Sequence, residues 1–87
     1  PAEFENERVR VLRRTLQPGE SSGMHTHAAN AVAVAMTAGE LTVRRPAAQP
    51  RTLTLHEGGV QWLEAGTTHD LVNAGAAPIE LVDVELK

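Results

Sequence analysis

Cysteine and tyrosine are absent from this chain of 87 residues, and its only aromatic residues are Phe4 and Trp62. Without cysteine, the chain forms no disulfide, no thiolate metal site, no iron–sulfur cluster and no cysteine nucleophile. No apolar run approaches the ~20 residues that a membrane-spanning helix needs, and no charged-then-apolar leader opens the sequence. We therefore expect a soluble cytoplasmic protein with no membrane partner.

A strong charge of one sign is also missing. Eight basic and eleven acidic residues give a formal net charge of −3, which does not favour a general nucleic-acid partner. A chain of this length predicts a single domain over residues 1–87, with residues 1–7 as a loose arm or an edge strand. The core of such a domain is thin, so a bound metal ion or a second subunit would stabilise it.

The apolar residues are mainly valine, leucine and thirteen alanines, while seven glycines and five prolines divide the chain into short segments. Glycine and proline residues at such short intervals favour many short strands over a few helices. The run from Ala31 to Thr37 is the only stretch that a helix could occupy, since alanine favours helices. Because this run is short and lies beside glycine-bearing turns, we predict a strand there too. Eight or nine strands without a helix predict an all-β, antiparallel barrel or sandwich.

Three of the four histidines lie where they could bind one metal ion. On a strand, His25 and His27 project from the same face about 6.5–7 Å apart, which lets both rings reach an ion at ~2.0–2.2 Å. His69 follows a glycine turn on another strand and could supply the third ligand. Taken alone, an H-x-H sequence is more often two unrelated surface histidines, so the spacing by itself does not establish a site.

The residues around these histidines resemble the two signature motifs of the cupin superfamily. The first motif is a glycine, five residues, H-x-H, three or four residues, a glutamate and a later glycine; its matches are Gly19, His25, His27 and Gly39. The second is a glycine, five residues, P-x-G, two residues, a histidine, three residues and an asparagine; its matches are Gly58, Gly66, His69 and Asn73. The resemblance covers nearly the whole chain, which is identified as a member of the superfamily with a single small barrel.

The resemblance implies an antiparallel jelly-roll barrel, or double-stranded β-helix, with a divalent Fe, Mn, Ni or Zn ion inside its mouth. The ligands that it implies are His25, His27 and His69. Glu64 replaces the motif proline, a small change because proline there only fixes one dihedral angle of a turn. The motif glutamate is missing, since the two positions where it should fall hold Ala31 and Val32.

Three neutral imidazoles leave the charge of a divalent ion uncompensated, which favours an anionic substrate or hydroxide as a further ligand. Some thiol and diketone dioxygenases of the superfamily have three-histidine iron sites. The resemblance therefore implies a dioxygenase-type oxidoreductase acting on a small organic acid, thiol or diketone. The alternative is a non-catalytic barrel that binds a metal ion or a small molecule, and no residue stands out in the sequence as a general base.

Strand alternation predicts what lines the barrel beside this site. If position 31 faces inward, Ala31, Ala33 and Ala35 face inward together and leave space for a pocket. One of Gln61 and Trp62, on a later strand, should face the same pocket, and we assign Gln61 to its lining. The sequence thus predicts an alanine-lined pocket that takes a small-molecule ligand or substrate.

The same alternation turns Val32, Val34 and Met36 outward. Three large apolar side chains on one outer face need cover, either from a second subunit or from another strand layer of the same chain. Homodimers are the commonest soluble assemblies, and we expect one here.

Other polar residues near the motifs are expected to lie outside the metal site. His56 precedes a glycine turn and should be exposed. Asp70 points away from His69 along its strand, so we do not count it as a ligand. Asn73 should hold a turn through its amide group.

Overall fold

The structure, a computed structural model, describes residues 3–87, and every regular element in that range is a β-strand. The run at Ala31 forms a strand as predicted, and the all-β expectation is confirmed. Residues 3–87 include no helix that is long and apolar enough to cross a membrane. The nine strands are β1 (Phe4–Glu5), β2 (Val9–Leu16), β3 (His25–Thr26), β4 (Ala31–Ala35), β5 (Gly39–Arg44), β6 (Arg51–Leu55), β7 (Val60–Leu63), β8 (Thr68–Asn73) and β9 (Ile79–Leu86).

These strands form two antiparallel sheets that enclose the core. The five-stranded sheet has the order β1-β2-β9-β4-β7, and the four-stranded sheet has the order β3-β8-β5-β6. The chain passes from one sheet to the other at most of its turns, which is the arrangement of a jelly-roll barrel. β1 pairs with β2 at a sheet edge, within the segment expected to be an arm or an edge strand. Pro1 and Ala2 of that segment lie outside the described residues.

The apolar core fills one end of the barrel. Its buried members come from both sheets: Leu16, Ala35, Leu41, Val43, Leu55, Ile79 and Leu81. The two sheets approach closely at Gly39, because a Cβ atom added there would lie 2.8 Å from Cγ1 of Ile79. The core thus seals this end of the barrel, while the opposite ends of β8 and β9 carry polar side chains.

Asn73 holds the connections at the sealed end together. Its amide Nδ2 donates to the carbonyl oxygens of Leu16 at 2.9 Å and Ala77 at 2.8 Å. Its Oδ1 accepts a hydrogen bond of 2.9 Å from the backbone N–H of Gly75. The prediction that Asn73 ties a turn through its amide is confirmed, and the side chain satisfies backbone groups that would otherwise be buried without partners.

Candidate metal centre

Strand pairing brings the three motif histidines together at the polar end of the barrel. His25 on β3 lies directly opposite His69 on β8. The pairing extends past β3, because the N–H of His27 donates to the carbonyl of Thr67 and the N–H of Gly66 donates to the carbonyl of His27. Gly66 has a φ of +88°, a left-handed conformation that favours glycine, so the turn before β8 depends on this residue.

The three rings converge on one point. Their ligand-capable nitrogens all lie within 4.8 Å of one another, and Nε2 of His27 is 3.0 Å from Nε2 of His69. Two nitrogens bound at right angles to one ion at ~2.1 Å are about 3.0 Å apart, so this separation fits a shared metal ion. Nδ1 of His25 lies 2.8 Å from the carbonyl oxygen of Gly23. Because a carbonyl only accepts, Nδ1 carries the proton and Nε2 keeps the lone pair that a metal ion needs.

Burial holds two of the rings in the neutral form that binds metal. The pKa of His69 is lowered to about 4, first by burial and then by the neighbouring rings of His25 and His27. Burial also lowers the pKa of His27, and the carboxylate of Asp83 offsets part of that effect. Since imidazolium cannot coordinate a metal ion, His27 and His69 are ready to bind one at neutral pH.

Asp70 holds the loop that leads into β3. Its Oδ1 accepts hydrogen bonds from Oγ of Ser21 at 2.5 Å and from the N–H of Gly23 at 3.1 Å. Gly23 in turn accepts the hydrogen bond of the His25 ring through its carbonyl. Asp70 therefore fixes the orientation of the His25 ring through Gly23. It does so although its neighbour in the sequence is a different candidate ligand, His69.

The position of the missing motif glutamate is occupied by the buried methyl group of Ala31. On the sheet, Ala31 lies between Leu63 of β7 and Glu85 of β9. Oε1 of Glu85 is buried and has no hydrogen-bond partner among the described residues, and it lies 4.0 Å from Nε of Arg10. A carboxylate thus enters the barrel at this level from β9, next to the β4 position where the motif would place one.

Two further charged side chains face the interior, and the motifs contain neither of them. Nη1 of Arg14, on β2, is 3.4 Å from Nε2 of His25. Asp83, on β9 opposite Ala33, is 7% exposed. Burial raises the pKa of Asp83, while Arg14 and the rings of His27 and His25 act in the opposite direction. The site therefore combines the neutral imidazoles of His27 and His69 with one half-buried cation, Arg14, and one buried acidic side chain, Asp83.

Sequence reasoning missed these two residues, although strand alternation contains the signal. Arg14 lies two positions before Leu16, and Asp83 lies two positions after Leu81. Both leucines are buried core residues, so alternation places the two charged side chains on the inner face as well.

A cavity of about 200 Å³ lies between the sheets and reaches the candidate metal site. This is smaller than the ~300–1,000 Å³ of sites for drug-sized ligands. Of the four residues expected in a pocket lining, Ala33, Ala35 and Gln61 border the cavity, whereas Ala31 does not. His69 and Asp83 also border it, and most of the other walls are leucine and valine side chains. His56, which is exposed as expected, stands at its boundary.

Apolar side chains form a row across the outer face of the five-stranded sheet, beside an ion pair between Arg13 and Glu80. Strand register places Phe4, Val11, Val84, Val32 and Trp62 in one row across all five strands. Phe4 and Trp62 are each 54% exposed. Further apolar residues of this face, including those expected to point outward, are Val9, Val34, Met36, Val60, Val82 and Leu86.

Comparison with known proteins agrees with the fold. The cupin domain family matches residues 12–85. The chain is also 31% identical over 85 residues to the β-alanine degradation protein BauB of Pseudomonas aeruginosa, in a match covering 98% of this chain and 88% of that protein. A double-stranded β-helix with histidines converging inside one end defines the class, and the chain belongs to the cupin family.

Solved structures support the same assignment. A cupin domain from Bordetella pertussis is 30% identical, with a TM-score of 0.93 and coverage of 100% of this chain and 90% of that one. A Klebsiella pneumoniae protein with a double-stranded β-helix domain is 20% identical, with a TM-score of 0.81 and coverage of 98% and 72%. The second similarity concerns the fold alone, and both confirm the jelly-roll barrel.

Proposed function

We propose that this cupin holds one divalent metal ion, Fe, Mn, Ni or Zn, and uses it as a dioxygenase-type oxidoreductase on a small organic acid, thiol or diketone. The proposed ligands are His25, His27 and His69. The observation that carries the proposal is the convergence of the three rings, with the Nε2 atoms of His27 and His69 3.0 Å apart. When bound, such an ion supplies Lewis-acid and redox chemistry with open positions for substrate and dioxygen.

The protein's own residues favour a small anionic substrate. Three neutral imidazoles add no negative charge to the ion, and the guanidinium of Arg14 adds a positive charge 3.4 Å from His25. The cavity of about 200 Å³ limits the substrate to a small molecule, and its leucine and valine walls exclude water from the apolar part. The Pseudomonas relative is named for the degradation of β-alanine, itself a small carboxylic acid, which supports the same substrate class.

A non-catalytic barrel that binds a metal ion or a small molecule is the second candidate function. The observation that favours it is the methyl group of Ala31, which stands where the family motif has a metal-binding carboxylate. An ion held without that carboxylate has one protein ligand fewer and no charge compensation from the protein. The cavity would then serve for recognition without turnover.

Metal analysis of tag-free protein tests the first proposal against the second. Wild type, His25→Ala and the exposed control His56→Ala are loaded in parallel with Fe(II), Mn(II), Ni(II) and Zn(II), and then washed. We expect about one ion per chain in wild type and in the control, and almost none in His25→Ala, because two imidazoles hold an ion weakly. Oxygen uptake with small thiols, diketones and organic acids then tests turnover. Failure to bind any of the four ions would overturn the enzyme proposal and leave the small-molecule barrel.

The apolar outer face of the five-stranded sheet supports a proposed homodimer. Monomeric soluble proteins rarely expose contiguous apolar patches larger than a few hundred Å², and this row crosses a sheet whose neighbouring strands lie ~4.8 Å apart. The exposed apolar face of this sheet is suited to pairing with the same face of a second copy across a two-fold axis. The cytoplasmic location expected from the sequence stays a prediction.

A further inference from the structure

Asp83 is a buried carboxylate without a partner in the described part of the chain. It is 7% exposed, yet it forms no side-chain hydrogen bond and no ion pair within 4.0 Å in residues 3–87. Removing a carboxylate from water without such compensation is costly, and burial accordingly raises the pKa of Asp83. A carboxylate with this cost and no hydrogen bond of its own is a candidate for binding something that the chain itself does not contain.

The surroundings of Asp83 leave room for a ligand. The carboxylate borders the same cavity as His69. On the neighbouring strand it faces Ala33, which also borders the cavity and whose methyl group fills little space. The adjacent acidic residue on this face, Glu85, cannot compensate its charge. The guanidinium of Arg14 compensates it only in part, because it lies against His25 and forms no ion pair with Asp83 within 4.0 Å among residues 3–87. Asp83 is the negatively charged side chain in the lining of this cavity, and Arg45 and Arg51 are its positively charged lining residues.

The geometry separates Asp83 from the candidate metal ligands. The group whose donor atoms lie within 4.8 Å of one another consists of the three histidines, and Asp83 does not belong to it. The carboxylate is thus beside the ion's position and is not placed as a fourth ligand. A desolvated carboxylate is best matched by a cation with several hydrogen-bond donors, and a primary ammonium group has three of them.

We propose that Asp83 binds the ammonium group of the substrate, whose carboxylate is held at the histidine-bound ion. The preferred substrates are then small amino acids in which a carbon spacer separates the amine from the carboxylate. A spacer is required because Asp83 lies outside the histidine cluster, and the cavity of about 200 Å³ keeps that spacer to a few carbon atoms. The inference rests on the proposed function, because the substrate carboxylate is held by the proposed metal ion. It adds the group that binds the amine.

Calorimetric titration of the Zn(II)-loaded protein tests the inference with a binding readout that needs no turnover. The probes are 4-aminobutanoate and 5-aminopentanoate, each compared with the acid of equal length that lacks the amine, butanoate or pentanoate. We expect wild type to bind at least one amino acid about 10-fold or more tightly than its matched acid. Asp83→Asn, which keeps the shape and removes the charge, should bind both members of each pair equally.

Glu85→Gln is the matched control, since it removes an acidic charge two residues away on the same face of β9. This variant should keep the preference for the amino acid. Metal content equal to that of wild type shows that Asp83→Asn is folded, and the wild-type preference is informative even if that variant is unstable. Equal binding of both members in wild type, or a preference that survives in Asp83→Asn, would overturn the inference while leaving the proposed function. If neither kind of acid binds, the proposed small-acid function fails as well.

Discussion

The two sheets of the barrel differ in what they present on each face. The four-stranded sheet carries the candidate metal ligands inside, and its outer face is polar, with Glu40, Thr52 and Thr54 exposed. The five-stranded sheet has the opposite character near the site, since Arg14 and Asp83 face inward while a row of apolar side chains crosses its outer face.

This difference indicates separate roles for the sheets. An antiparallel sheet with one solvated face normally directs its polar residues outward, as the four-stranded sheet does. The five-stranded sheet departs from that rule on both faces, since it buries Asp83 and exposes an apolar row, and the proposed substrate and second subunit would each cover one of these faces. We infer that its inner charges contact the substrate and that its outer face contacts a second subunit. The four-stranded sheet then supplies the metal ligands and the solvent-facing surface.

The largest expected effect concerns the four-stranded sheet. His69→Ala removes one of the three proposed metal ligands, and we expect the affinity for Zn(II) to fall about 100-fold or more, as measured by competition with a chelating dye. His56→Ala removes an exposed histidine at the cavity boundary and should leave the affinity unchanged. Equal loss in the two variants would contradict the assignment of the ligands.

The next effect tests the outer face of the five-stranded sheet. Val84 lies in the middle of the apolar row, between Val11 and Val32. Val84→Arg would bury two like charges in a two-fold interface, and we expect the dimer to weaken about 100-fold, as measured by sedimentation equilibrium. Thr52→Arg adds the same charge to the outer face of the other sheet and should leave the dimer intact. A monomeric wild type would refute the proposed interface.

The all-β class could be predicted from glycine turns and strand alternation, because these are local signals, whereas the jelly-roll barrel was predicted from the resemblance to the cupin motifs. The same alternation predicted that Val32 and Val34 face outward. The complete row could not be predicted, since the placement of Phe4 beside Val11 depends on pairing between strands. The buried charges were missed for another reason: an arginine or aspartate is ordinarily assigned to solvent, and Asp83 becomes noteworthy only once it lacks a partner.

A third prediction concerns the contact that holds the two sheets together. A Cβ atom at Gly39 would lie 2.8 Å from Cγ1 of the fully buried Ile79. Gly39→Ala should therefore lower the free energy of unfolding by about 2 kcal/mol in urea, through overpacking. At Gly75 the nearest atom to an added Cβ is 3.5 Å away, so Gly75→Ala should have a smaller effect. Recovery of stability in the double variant Gly39→Ala/Ile79→Val would locate the strain between the sheets, and no recovery would place it elsewhere.

The smallest expected effect is the pH dependence of the stability of metal-free protein. His69 of one sheet and Asp83 of the other change this stability in opposite directions. The pKa of His69 is about 4 when folded and ~6.5 when unfolded, so the unfolded chain binds more protons between these values. The contribution of His69 to the free energy of unfolding is therefore fully present above pH 6.5 and is lost as the pH falls toward 4. The raised pKa of Asp83 acts in the opposite sense, because there the folded state binds the extra proton.

Urea unfolding with EDTA should therefore show a net loss of about 1 kcal/mol between pH 7 and pH 5, after allowance for solvent screening of the His69 shift. Asp83→Asn removes the opposing contribution, so when the titration is continued to pH 4 its total loss should be larger than that of wild type. Its stability at pH 7 should also rise, because a desolvated charge is gone. An unchanged pH dependence in this variant down to pH 4 would mean that the carboxylate of Asp83 is not desolvated in the free protein, which would remove the reason to expect it to bind an ammonium group.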